Sequence, residues 1–208
     1  MARDRQSIVK MSRREGYALH PKAHKALVKR TNMPGQNLGG RGMRPQKPSQ
    51  YSLQLREKQK VKRLYGLLER QFRKLMEEAG RKEGNSGQLL LQYLERRLDN
   101  VVYRSGLAPS RRAARQLTTH GHFMLNGRRV DIPSIRVKIG DELVVRPHSQ
   151  KSEYFKKLDE TSPAGEENAI SWLKVDRKKL TIKVTGLPPR EEAEPELNEQ
   201  LIVEYYSR

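Results

Sequence analysis

Residues 110–129 read SRRAARQLTTHGHFMLNGRR: three arginines follow Ser110, two histidines flank Gly121, and two more arginines follow Asn126-Gly127. The histidines suggest a metal site, but H-x-H supplies two ligands only, and neither a cysteine nor a neighbouring carboxylate supplies a third and fourth. His120, near a helix end, suits terminal carbonyls or an outside partner, and His122 suits the start of a strand. The arginines point instead to anion chemistry. Arg111 and Arg112 fall in the first turn of a helix capped by Ser110, where the helix dipole is positive and a cation costs about 0.3–1 kcal/mol. A sequence shaped for stability alone places Asp or Glu there. A phosphate at that terminus resolves the conflict, because backbone amides and two guanidinium forks then converge on one anion. Ordinary solvated arginines are the alternative. Arg115 extends the same face one turn on. Arg128 and Arg129 leave a hairpin tip beside Asn126. If hairpin and helix pack together, they form one concave basic surface spaced for a nucleic-acid backbone.

Catalytic constellations are lacking. The stretch GQNLGGRG departs from the order of a phosphate-binding loop, and no apolar strand precedes it. Asp99, in RRLDNVVYR, is best placed as an ion-pair partner for Arg96, Arg97 or Arg104. No nucleophile with its base stands out, and no cofactor is implied.

The elements that position these residues can be read from periodicity. Leu91, Leu94, Leu98, Val101 and Val102 predict a helix over 88–104, with Gly106 past its end. A short helix from Ser110 buries Ala114, Leu117 and Thr118 and stops at Gly121. The period then falls to two: Phe123 and Leu125 run into Asn126-Gly127, a strong hairpin signal, with Val130 and Ile132 beyond it. IRVKIGDELVV predicts two short strands around Gly140-Asp141. Residues 148–168 read as loose and polar. Further strands are predicted at ISWLKV, LTIKV and LIVEYY, with PPREEAEPELNEQ as an acidic surface loop.

Upstream, Leu64, Leu68, Phe72, Leu75, Met76 and Ala79 form one helical stripe from about Leu53, with Gly66 as a break and Gly80 as a stop. Arg56, Lys58, Lys60, Lys62 and Arg63 circle this helix without obvious acidic partners, as a solvated face or a phosphate-contacting one. Residues 1–50 carry twelve cations and two acids, and the NMPGQNLGGRGMRPQKPSQY stretch excludes one long helix or a sheet. A disordered tail and an arm that orders on RNA both fit, and only a polyanionic partner neutralises so many cations.

The net charge of +19, with a pI near 10.3, favours a polyanion, nucleic acid ahead of a membrane surface. The charge lies in the first three quarters, since residues 151–208 hold ten cations and twelve acids. No apolar run approaches the roughly 18 residues of a membrane span, and no secretory signal opens the chain, so a cytoplasmic protein is expected. The absence of cysteine excludes disulfides, thiolate zinc sites and cysteine nucleophiles.

RLDNVVYRSGLAPSRRAARQLTTHGHFMLNGRRVDIPSIRVKIGDELVV resembles the RNA-binding module named after ribosomal protein S-four, at Ser110, Arg111, Ala114, Leu117, Gly121, Asn126 and Gly127. That module alone also occurs in pseudouridine synthases and tyrosyl-tRNA synthetases. SRREG, PGQ at 34–36, LREKQKVKRLYGLLERQFRKLMEEA and NEQLIVEYYSR extend the similarity to the bacterial S-four ribosomal family over nearly the whole chain. The resemblance implies an α+β fold: a basic extended arm (1–50), a helical domain (51–96), the RNA-binding module (97–150) and a C-terminal extension with strands (151–208). It implies a non-enzymatic component of the small ribosomal subunit in the cytoplasm. Such a protein binds small-subunit ribosomal RNA as a primary assembly protein nucleating the body, neighbours protein S-five at an interface tied to decoding accuracy, and lies where mRNA enters. Some members repress their own translation. The implied RNA-binding residues are Arg13, Arg14, Arg56, Lys58, Lys60, Lys62, Arg63, Arg70, Arg73, Arg111, Arg112, Arg115, His120, Asn126, Arg128 and Arg129, with Arg41, Arg44 and Lys47 toward the mRNA. Many relatives bind zinc through four cysteines in the arm. Val9 and Ser12 stand where the first pair would be, so here RNA and packing must hold the arm, and 37–48 is longer than usual. The alternative, an RNA-modifying enzyme tethered by the module, needs a catalytic domain with a reactive Asp, and only about 60 residues follow the module.

Overall fold

The computed structural model describes residues 4, 6–30, 33–35, 47–162 and 170–207. The chain divides into two compact units, Met1–Gly87 with Glu196–Arg208, and Gln88–Pro195.

The first unit is helical. Within the expected arm, α1 (Ile8–Glu15) and α2 (Pro21–Lys29) are helices. Gly16 ends α1 in the left-handed conformation, returning its N–H to Ser12. Pro21 opens α2 behind His20, whose ring accepts the Lys22 N–H. Met11, Leu19 and Ala23 are buried, and the buried Ser12 hydroxyl donates to Ile8 O and accepts the Leu19 N–H. Ser49 caps α3 (Gln50–Leu64), Gly66 at φ +65 turns the chain, and α4 (Glu69–Gly80) buries Phe72, Met76 and Ala79. The predicted break and stop both fall where expected.

LIVEYY forms a helix, α11 (Glu199–Tyr206), and not the predicted strand. A short apolar run satisfies either period. Asn198 decides it by accepting the Gln200 and Leu201 N–H groups, after which Ile202 is buried. This helix packs on α3: Lys58 Nζ lies 2.6 Å from Glu69 and 4.5 Å above the Tyr205 ring, and Tyr206 donates to Glu69 at 3.0 Å. Burial and Glu69 together push the Tyr206 phenol far up.

In the second unit the predicted helix over 88–104 is two helices, α5 (Ser86–Glu95, beginning in the first unit) and α6 (Leu98–Arg104). Arg97 is extended, and residues 133–137 take up the freed backbone groups: Leu98 N–H donates to Ile135 O, and Val137 N–H to Arg96 O. Residues 135–138 therefore serve this bridge, with one isolated pairing of Arg136 to Arg97, and do not form the first of the two predicted strands. α7 (Arg111–Thr119) leads into β1 (Phe123–Leu125), β2 (Arg128–Val130) and β3 (Glu142–Val145). The stretch predicted as loose holds three single-turn helices, α8 (Pro147–Gln150), α9 (Glu153–Lys156) and α10 (Leu158–Thr161), anchored by the buried Phe155 and Leu158; its end, 163–168, lies outside the described residues. Two apolar anchors in a polar stretch are too few to set a period. β4 (Leu173–Asp176) and β5 (Thr181–Val184) complete an antiparallel sheet of order β2-β1-β3-β5-β4. Its inner face, Phe123, Leu143, Val145, Leu173, Ile182 and Val184, joins Leu98, Val101 and Val102 of α6 and Ala114 of α7 in one core. Among the described residues no helix is long and apolar enough to cross a membrane.

Burial works to raise the Glu69 pKa, but hydrogen bonds from Lys58 and Lys62 outweigh it and hold the carboxyl at about 2. A depressed carboxylate contributes stability above its ordinary value of 4.5 that is lost as pH falls toward 2. In urea unfolding, the wild-type midpoint is expected to decline over that interval, and Glu69→Gln, already weaker at neutral pH, to decline less. Parallel pH profiles for the two chains would refute the pairing.

Candidate nucleic-acid interface

Ser110 caps α7 as predicted: its Oγ accepts the Ala113 N–H at 3.2 Å, while Ala114 and Thr118 face the core. Successive helical residues point about 100° apart, so Arg111 and Arg112 diverge. Arg112, with Gln116, Thr119 and His120, is exposed. Arg111 turns inward, its Nε donating to Asn100 at 2.9 Å and a terminal nitrogen to Glu194 at 2.8 Å, with its guanidinium 4.5 Å from the Tyr103 ring. Arg115, one turn on, reaches Asp99 at 3.4 Å. The expected convergence of Arg111 and Arg112 on one anion is corrected: internal acceptors, not an open terminus, meet the Arg111 fork.

These contacts close into a ring. Asn100 Nδ2 donates to the buried Glu95 carboxylate at 2.8 Å, Arg104 grips Glu95 with two bonds of 2.9 Å, and Arg104 also lies 3.7 Å from Glu194, which holds Arg111. Two acids, two arginines and one amide thus tie α5, α6 and α7 to the acidic segment that read as a surface loop. Asp99 takes a two-bond grip from Arg97 at 2.8 and 3.0 Å, one of the three partners proposed for it. Arg96 instead donates to Val137 O.

The hairpin meets α7 at its C-terminal end, not the N-terminus. Gly121, at φ +71, leaves room for Arg129: a Cβ there would sit 2.8 Å from Arg129 Nε. The Gly121 carbonyl accepts from Arg146 at 3.1 Å. Arg128 and Arg129 are exposed on a turn whose positive φ at Asn126 and Gly127 fits the predicted hairpin. Asn126 is occupied in the fold, its side chain accepting the Glu142 N–H at 2.9 Å and donating to Asp141 at 2.8 Å. His122 Nδ1 lies 3.0 Å from Ser149 Oγ, and burial, then the charges of His120 and Arg146, push its pKa down. No group of three possible metal ligands occurs among the described residues.

The cations around α3 are paired, contrary to the sequence reading. Arg56 and Arg63 bind Glu15, whose pKa burial raises against the opposing pull of Arg63, Arg56 and Arg14. Lys58 and Lys62 bind Glu69 at 2.6 and 2.8 Å. Lys60 binds Glu57 at 3.1 Å and Glu196 O at 2.8 Å. Glu15 and Glu69 lie outside α3, where a scan along that helix does not reach, whereas Glu57 sits one turn before Lys60 on the same helix and was within reach of the sequence. Arg13 is half-buried in the last turn of α1, Arg14, Arg70 and Lys47 are exposed, and Arg73 makes an exposed pair with Glu77 at 3.0 Å. Arg41 and Arg44 lie outside the described residues. Sequence reasoning missed Glu95, Asn100, Arg146 and Glu194. The signal for one of them was present, since Asn100 shares one face of α6 with Tyr103 and Arg104 by spacing.

The S4 domain family matches residues 96–143, and the ribosomal protein S4/S9 N-terminal domain family matches residues 3–95. The small ribosomal subunit proteins uS4 of Chloroflexus aurantiacus and Roseiflexus castenholzii are each 49% identical to this chain over 208 residues, covering both chains in full. That of Clostridioides difficile is 50% identical over 214 residues, again covering both in full.

Gly121→Ala tests the seam between helix and hairpin. The left-handed backbone is expected to cost about 1–2 kcal/mol in urea unfolding. The Arg129 side chain, flexible at its far end, is expected to swing away, seen as a moved Arg129 side-chain resonance by NMR. An unmoved resonance would disprove the contact.

Proposed function

This chain belongs to the bacterial ribosomal protein uS4 family, and from that premise we propose that it grips small-subunit ribosomal RNA through the cations its own fold leaves exposed. It is a structural, non-enzymatic constituent of the small ribosomal subunit, which sets aside the tethered-enzyme alternative. One observation carries the proposed contact surface. Arg112, Arg128 and Arg129 are exposed on α7 and the hairpin, while their neighbours Arg111 and Arg115 are paired to Glu194 and Asp99. A cation in the first turn of a helix is unfavourable unless an anion arrives, and Arg112 keeps that property where Arg111 has lost it. Arg14, Arg70 and Lys47 are the exposed contributors of the other unit, to which the half-buried Arg13 and the Glu77-paired Arg73 also belong, and the exposed His120 adds to the α7 surface. Arg56, Lys58, Lys60, Lys62, Arg63, Arg111, Arg115 and Asn126 serve binding through the shape they maintain.

Finer roles rest on the family resemblance. They are early binding that nucleates the body of the particle, a part in decoding accuracy beside protein S-five, contact with mRNA through Arg41, Arg44 and Lys47, and repression of the protein's own messenger. The charge of residues 1–50, twelve cations against two acids, supports contact with messenger or ribosomal RNA.

Filter binding to a small-subunit ribosomal RNA transcript tests the surface. About six contacts on irregular RNA set a slope of roughly −4 in log affinity against log salt. Arg112→Glu is expected to leave stability unchanged or raised by up to about 1 kcal/mol, because it suits the dipole. Its affinity is expected to fall roughly a hundredfold, since a phosphate contact becomes a repulsion. A flat salt response, or full affinity in Arg112→Glu, would overturn the proposal.

A further inference from the structure

We propose that Glu194, an acid in a strongly basic RNA-binding chain, is a positioning residue that favours RNA binding. It holds Arg111 so that the first turn of α7 presents Arg112 to the phosphate backbone. This inference rests on the function proposed above and adds to it a role for the acidic segment.

The argument starts from the position of Arg111. Two guanidinium groups in one first turn repel each other and the helix dipole. A flexible Arg111 would compete with Arg112 for the same phosphate or pull the turn out of register. The structure removes that freedom on three sides: Asn100 accepts from Nε, Glu194 accepts from a terminal nitrogen at 2.8 Å, and the Tyr103 ring covers one face at 4.5 Å. Asn100 and Tyr103 belong to the same short helix, so Glu194 is the arm of the clamp that comes from outside it. Glu194 is anchored in turn, with Ala193 beside it buried and Arg104 at 3.7 Å. The Arg111 side chain is 13% exposed and that of Glu194 18%, so their charges meet largely out of water, where a hydrogen-bonded pair fixes direction better than a surface pair does.

Electrostatics alone predicts the opposite behaviour. Deleting an acid from a surface that attracts phosphate raises affinity if the acid only repels, and lowers it if the acid positions. The two readings differ in sign, so one measurement separates them.

The full chain is assayed on the small-subunit ribosomal RNA transcript across a salt series. Glu194→Ala is expected to lower affinity about tenfold, with the salt slope unchanged. Glu194→Gln, which keeps the oxygen that accepts from Arg111, is expected to recover most of that loss. Arg111→Lys, which cannot reach Asn100 and Glu194 together, is expected to resemble Glu194→Ala in both affinity and slope, whereas Arg112→Ala flattens the slope by about 0.7. Hydrogen exchange of the free protein is expected to speed up at residues 111–114 in Glu194→Ala and to stay near wild type in Glu194→Gln. If Glu194→Ala fails to fold, Glu194→Gln and Arg111→Lys decide the matter by rescue and slope. Affinity equal to or above wild type in Glu194→Ala, or a slope flattened in Arg111→Lys as in Arg112→Ala, overturns the positioning role while the RNA-binding reading stands. A wild-type chain with no salt-dependent binding overturns both.

Discussion

With 43 cations and 24 acids, this chain cannot neutralise itself, and the fold depends on where the few carboxylates go. Four of them each hold two cations: Glu15 takes Arg56 and Arg63, Glu69 takes Lys58 and Lys62, Asp99 takes Arg97 and Arg115, and Glu194 takes Arg104 and Arg111. Most of these eight side chains are largely buried, where an unpaired charge would cost several kcal/mol. Each shared acid is therefore a condition for two cations to sit where they do, and each joins segments that the sequence separates.

The same sharing sorts the basic surface. A cation with a good internal acceptor gains little from a phosphate, because binding must first break the internal bond. Those left exposed, Arg112 on α7 and Arg128 and Arg129 on the hairpin, are already open to water, although Arg129 also lies against Gly121. The surface is thus narrower than its composition suggests, and its edges are drawn by acids. This is the ground for the role proposed for Glu194, which is remote in sequence from α7 yet holds Arg111 at its first turn.

Features fixed by near neighbours were legible in the sequence. Ser110 as a cap, Gly66 as a break, and Asn126-Gly127 as a tight turn each depend on residues a few positions away, and local chemistry decided them. The RNA-binding module was legible for a related reason, since its marks cluster from Ser110 to Gly127, and the family followed from short flanking stretches such as SRREG and NEQLIVEYYSR. What local reading could not supply was the partner of a charge. Arg111 and Glu194 are 83 positions apart, and nothing around Arg111 announces that its fork is already filled. The break between α5 and α6 escaped notice for the same reason, because residues 133–137 compensate it from a distance. LIVEYY was ambiguous in itself, as Leu201 with Tyr205 and Ile202 with Tyr206 fit a helix as well as a strand.

The choice between arginine and lysine follows the shape of the partner. Arg111 meets an amide oxygen along Nε, a carboxylate along a terminal nitrogen and an aromatic ring against its plane, three directions that only a planar fork matches together. Lys58 meets a carboxylate at 2.6 Å and two tyrosine rings at 4.5 and 5.8 Å, an arrangement around a point, which an ammonium fills and a guanidinium would overfill. Glu15 shows the fork used differently, with Arg56 and Arg63 approaching one buried oxygen from α3. Where the partner is a nucleotide backbone the fork again has the advantage, since it can meet two phosphate oxygens at once, and the exposed cations of α7 and the hairpin are all arginines. The residue type at each basic position therefore reflects the geometry of what it holds, inside the fold and on its surface.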